Sequence, residues 1–64
     1  MINPIHIGDG AYVHVSAFGD LIVTANHHDP TEATDTVGIE IQDIPNLIMY
    51  LKSNFPKQFE EGLK

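Results

Sequence analysis

The chain has 64 residues, nine acidic side chains against three lysines, no arginine and no cysteine, for a formal net charge of −6. This length means one domain, and the lack of cysteine excludes a disulfide framework or a thiolate metal site. Without clustered Lys or Arg there is no footprint for phosphate, so direct nucleic-acid binding and attachment to an anionic membrane are not expected.

No apolar run approaches the roughly 20 residues of a transmembrane helix. The opening MINPIHIGDG has neither the basic region nor the apolar stretch of a secretory signal. The expectation is a soluble protein of the cytoplasm. A chain this short buries only about 60% of its unfolded surface, and a homodimer would relieve that shortage.

Residues 2–7 place Ile2, Ile5 and Ile7 around Pro4. Proline removes a ladder donor, which limits the segment to an edge strand or an extended arm. Gly8-Asp9-Gly10 is a turn signal. It lacks the GxxxxGK[ST] pattern and opens onto no helix, so it is not a phosphate loop.

Residues 11–18 alternate cleanly. Ala11, Val13, Val15 and Ala17 share one face, and Tyr12, His14, Ser16 and Phe18 the other. Residues 21–26 form the returning strand. Parity selects a three-residue loop of Phe18, Gly19 and Asp20, which pairs Ala17 with Leu21, Val15 with Val23 and Val13 with Ala25. Residues 27–35, HHDPTEATD, read as a long, mobile polar loop. Residues 36–42 return to period two, with Val37, Ile39 and Ile41 on one side.

At Asp43 the period changes. Ile44, Leu47, Ile48, Leu51 and Phe55 make a helical apolar stripe over 44–55, with Asp43 placed to cap it and Pro45 in the first turn. Phe55-Pro56 stops or kinks the helix. Residues 57–64 either add a turn, with Phe59 and Leu63 packing back, or fray. The expected fold is α+β: a three- to four-stranded antiparallel meander with one C-terminal helix packed on one face as a lid.

Three constellations are candidates for function. The face opposite the lid carries Tyr12, His14, Phe18, Ile22, Thr24 and Glu40, a mixed surface suited to binding another protein. The carboxylates Asp29, Glu32, Asp35, Glu40 and Asp43 suggest an alternative, imitation of nucleic-acid charge. His14, His27, His28 and Asp29, with His6 nearby, have the ligand chemistry of zinc or nickel. Adjacent histidines on an extended chain point apart, however, and no nucleophile motif accompanies His14. No cofactor is expected, and the chain is not expected to be an enzyme.

Three stretches carry a resemblance: Ile7-Gly8-Asp9-Gly10-Ala11-Tyr12, then Gly19-Asp20-Leu21-Ile22-Val23, then Ile39-Glu40-Ile41-Gln42-Asp43-Ile44-Pro45 with Tyr50 in the helix. They resemble small uncharacterised proteins of bacteriophages and prophages that read LGDGVY, DGYQIWL, IALEPEV and a helix containing RYA. The likeness spans residues 5–54. This chain departs from the pattern in its longer first hairpin, its Gly-Asp rather than Asp-Gly turn and its His-rich loop. The resemblance implies a meander-plus-helix fold and a phage accessory role in the bacterial cytoplasm. Its partner would be a host protein, with inhibition of host defence as one outcome. No catalytic residue comes with it.

Overall fold

Alternation decides the sheet. A computed structural model describes residues 2–64 and holds four strands: β1 (Ile2–Gly8), β2 (Ala11–Val15), β3 (Leu21–Ala25) and β4 (Asp35–Ile39). A 3-10 turn at Ile41–Asp43 leads into α1 (Ile44–Asn54) and α2 (Pro56–Gly62). The strands form one antiparallel sheet in chain order, so the α+β meander expected from the sequence is observed, with two helices in place of one. The first segment is the edge strand of the protein's own sheet. Its register is irregular between Ile2 and Ile5, where Pro4 removes a donor.

Across the sheet, Ile5 lies opposite Val13, Val13 opposite Val23 and Val23 opposite Val37, one apolar row over four strands. Val15, Leu21 and Ile39 make a second row on that face. Tyr12 with Thr24, and His14 with Ile22 and Gly38, lie on the reverse.

The faces are those the alternation predicts, but the register is shifted. Val15 pairs with Leu21, not Val23, because the three-residue loop is Ala17-Phe18-Gly19. Ser16 N–H donates to the Asp20 carbonyl (2.9 Å), and Gly19 N–H to the Ser16 carbonyl (3.0 Å). The Ser16 hydroxyl accepts from the N–H groups of Phe18 (3.3 Å) and Asp20 (3.2 Å). Gly19 takes the left-handed position that closes such a loop, at φ +88°. Moving the loop back one residue slides the pairing by two, and a two-residue slide preserves both faces.

The last strand ends at Ile39 instead of 42. Glu40 is still extended (φ −67°, ψ 150°), but Ile41 N–H donates to the Asp20 carboxylate (3.2 Å) and the chain turns there. Ile41 therefore leaves the apolar face. Asp43 does occupy the N-cap position, yet its side chain makes no capping bond, since the preceding turn has already made its backbone helical. Pro45 sits in the first turn as expected.

At Phe55 (φ −134°, ψ 55°) α1 breaks before Pro56, as the residue preceding a proline should. The tail does not fray. It continues as α2, with Phe59 N–H donating to the Phe55 carbonyl (2.8 Å). Phe59 is half-buried, whereas Leu63 is exposed and does not pack back.

The helical region follows the sheet as expected, but as a 3-10 turn and two helices in place of one. The helices make their extensive contacts with each other and with the 3-10 turn, not with the sheet, and neither helix carries a buried residue. Among the described residues no apolar side chain is buried; only His14 and Thr24 are. Total exposed surface is 5040 Å², against about 4100 Å² for a folded monomer of this mass. The Cα radius of gyration is 12.5 Å, against about 11 Å for a compact chain of this length.

The two turns beside β2 differ in how they tolerate a side chain. Both Gly19 and Gly10 have positive φ, but a Cβ at Gly19 meets nothing within 4 Å, while one at Gly10 falls 2.8 Å from Asn26 Oδ1. Asn26 is itself held by Nδ2 donating to the Thr34 hydroxyl (3.0 Å). Gly19→Ala should cost about 1–2 kcal/mol from the left-handed backbone alone. Gly10→Ala should cost more, a ranking that urea midpoints of the two variants will check.

Candidate functional site

The reverse face of the sheet, with the β3–β4 connection beside it, gathers most of the candidate side chains. Tyr12 is flanked by His6 on β1 (ring centroids 5.0 Å apart) and by His28 (6.1 Å, edge-on). His27 lies next to His28 at 4.6 Å. Four rings thus form a continuous row from the sheet edge into the loop. The sequence marks His27 and His28 as a pair but gives no sign that His28 meets Tyr12. Aromatic residues far apart in sequence give no local signal that they will meet.

The expected contact surface divides. His14 and Thr24 are 6% and 1% exposed, so their side chains are not available to a partner. His14 Nδ1 and Thr24 Oγ1 are also buried without a hydrogen-bond partner. Each such orphan costs about 1–3 kcal/mol, a burden where no apolar side chain is buried among the described residues. Tyr12 and Ile22 are half-buried. Phe18 is 92% exposed at the hairpin tip. Glu40 is exposed past the end of β4 and accepts from the Gln42 side-chain amide.

The β3–β4 connection carries its own hydrogen bonds. Asp29 Oδ1 accepts from both the Thr31 N–H (2.9 Å) and its hydroxyl (2.8 Å), and the Asp29 carbonyl accepts from Glu32 and Ala33 (both 2.9 Å). Asp29 N–H donates to His27 Nδ1 (2.9 Å), and Thr34 N–H to the Ala25 carbonyl (3.0 Å). Pro30 presets the backbone inside this turn. Asp29 is thereby committed to Thr31 and His27 Nδ1 to the backbone, while His14 is buried on the sheet. Among the described residues no three His, Asp or Glu side chains are arranged to hold a metal ion, so His14, His27, His28 and Asp29 do not converge.

The carboxylates are also divided. Meander topology puts Asp9, Asp29, Glu32 and Asp35 at one end of the sheet, and Asp20, Glu40 and Asp43 at the other. Two of them are structural, since Asp29 accepts from Thr31 and Asp20 accepts the Ile41 N–H. No helix among the described residues is long and apolar enough to cross a membrane. No family model, curated protein or solved structure matches the chain.

The carboxyl of Asp29 is held below the usual carboxylate range, first by the Thr31 N–H and then by the Thr31 hydroxyl. Desolvation opposes this, and the His27 and His28 charges add to it. A depressed folded-state pKa means the stabilisation is complete above the ordinary carboxylate value, about 3.9. It is lost as pH falls through the lower, folded-state value. The Thr31 amide resonance should accordingly titrate at lower pH than a free aspartate. In Asp29→Asn that titration should vanish at every pH, as NMR can read directly.

Proposed function

We propose that this protein is a non-enzymatic interaction module whose principal contact residue is Phe18. The observation that carries this reading is the exposure of an aromatic ring, 92%, on a loop that is not loose. Four hydrogen bonds converge on Ser16 and Asp20 around it, so little conformational freedom remains to be lost when a partner engages the ring. Aromatic side chains presented this way are typical energetic anchors of interfaces. Loops on rigid scaffolds are where binding residues concentrate.

The resemblance to phage-encoded proteins supplies the class of partner: a protein of the bacterial host, bound in the cytoplasm, with inhibition as the consequence. That step rests on analogy, because fold does not fix function. The net charge of −6 favours a partner with a basic surface, speeding encounter while the ring supplies the retained contact.

The test is affinity capture from bacterial lysate by wild type beside Phe18→Ala, with both first matched in mass and circular dichroism. Capture of one host protein by wild type, weakened at least about tenfold in the variant, is the expected result and corresponds to about 1.4 kcal/mol. Equal capture by both proteins removes Phe18 from the role.

A further inference from the structure

The sheet and the helices each leave an apolar surface without a partner. The row Ile5, Val13, Val23 and Val37 crosses all four strands, with Ile5 62% and Val37 58% exposed and Val13 and Val23 between them half-buried. Of the helical stripe, Ile48 and Leu51 on α1 and Phe55 at its end are exposed, with Met49 and Tyr50 beside them, while Ile44 and Leu47 are half-buried. A sheet face and a helix stripe are the two halves of one two-layer core, yet within this chain they make no extensive contact.

We infer that the occupant is a second copy of the chain, with the helical arm of each copy lying across the Val13–Val23–Val37 face of the other. The amount of surface fits. The exposed area exceeds that of a folded monomer of 7.1 kDa by roughly 900 Å², close to the about 800 Å² that each partner buries in a standard interface. A two-fold pair is self-complementary: the arm that one sheet lacks is the arm its mate offers. The connection also fits. Glu40 alone separates β4 from the 3-10 turn, and the Ile41 N–H bond to Asp20 ties the start of the arm to the end of the sheet. Short hinges of this kind favour exchange of an element between copies over folding back. This inference stands on the sheet and the helices and does not depend on Phe18.

Because the chain has no cysteine, single introduced thiols report contacts cleanly. Val37→Cys and Ile48→Cys are conservative changes at exposed sites, and circular dichroism will confirm that both variants fold. The wild type should weigh twice the single chain by light scattering at micromolar concentration. Added salt should raise that mass at limiting concentration, since it screens repulsion between two copies of charge −6. Mixed in equal amounts and treated with a short thiol-to-thiol crosslinker, the variants should give chiefly the Val37–Ile48 product. A mass of one chain at high micromolar concentration overturns the inference and leaves the faces for a different partner. A dimer joined only through Val37 to Val37 overturns it too, since that is sheet against sheet. Neither failure touches the Phe18 experiment, which is read on captured host protein.

Discussion

Val13, Val23 and Val37 lie side by side on one face of a four-stranded sheet with which the helices of the same chain make no extensive contact. The rest of the molecule is conditioned by that open row. Hydrophobic burial is the largest favourable term in folding, and it must offset a backbone ordering cost of about 1–2 kcal/mol for each residue. With no apolar side chain buried, the described residues hold their shape through ladder hydrogen bonds, tight turns and half-buried packing.

Local hydrogen bonding compensates where burial is lacking. Ser16 and Asp20 lock the tip of the β2–β3 hairpin, and Asp29 with Thr31 closes the β3–β4 connection. Asp20 serves twice, through its carbonyl in the hairpin and its carboxylate on Ile41. These are exchanges of one local bond for another, effective over a few residues and weak over long distances. They explain why the two connections flanking β3 are well defined in a molecule whose helices and sheet make no extensive contact.

Much of this could be read from the sequence, and what could not has a physical reason. The two faces of the sheet were legible because alternation survives a register slide of two. The slide itself was not, because it depends on whether Gly19 or Asp20 takes the last loop position, and only the glycine reaches φ +88° without strain. The break at Phe55-Pro56 was legible from stereochemistry, but the helix after it was not, since KQFEEGLK is too short to show a period. How closely α1 lies on the sheet was not legible, because amphipathicity marks an apolar side of the helix without saying how much of it the sheet will contact. Burial of His14 and Thr24 was equally hidden, as it arises on the face of the sheet that alternation alone assigns to solvent. The exposure of Phe18 was within reach, since a ring at a hairpin tip has no neighbours on either side to cover it.

The two sheet edges show which route to association the sequence leaves open. An edge strand offers unpaired N–H and C=O groups to any other strand, the usual route to uncontrolled aggregation. Here β1 carries Pro4 and breaks in register near both ends. β4 has only five residues, begins at Asp35 and runs through Glu40 into a helical turn. Proline, irregular pairing, short length and flanking carboxylates are all devices that discourage edge-to-edge addition. The net charge of −6 adds a long-range repulsion between copies that only a contact with enough buried apolar area can overcome. Guarded edges beside an exposed apolar face are what the proposed two-fold pair requires: strands are kept from adding to the sheet while its face stays available to the arm of a second copy.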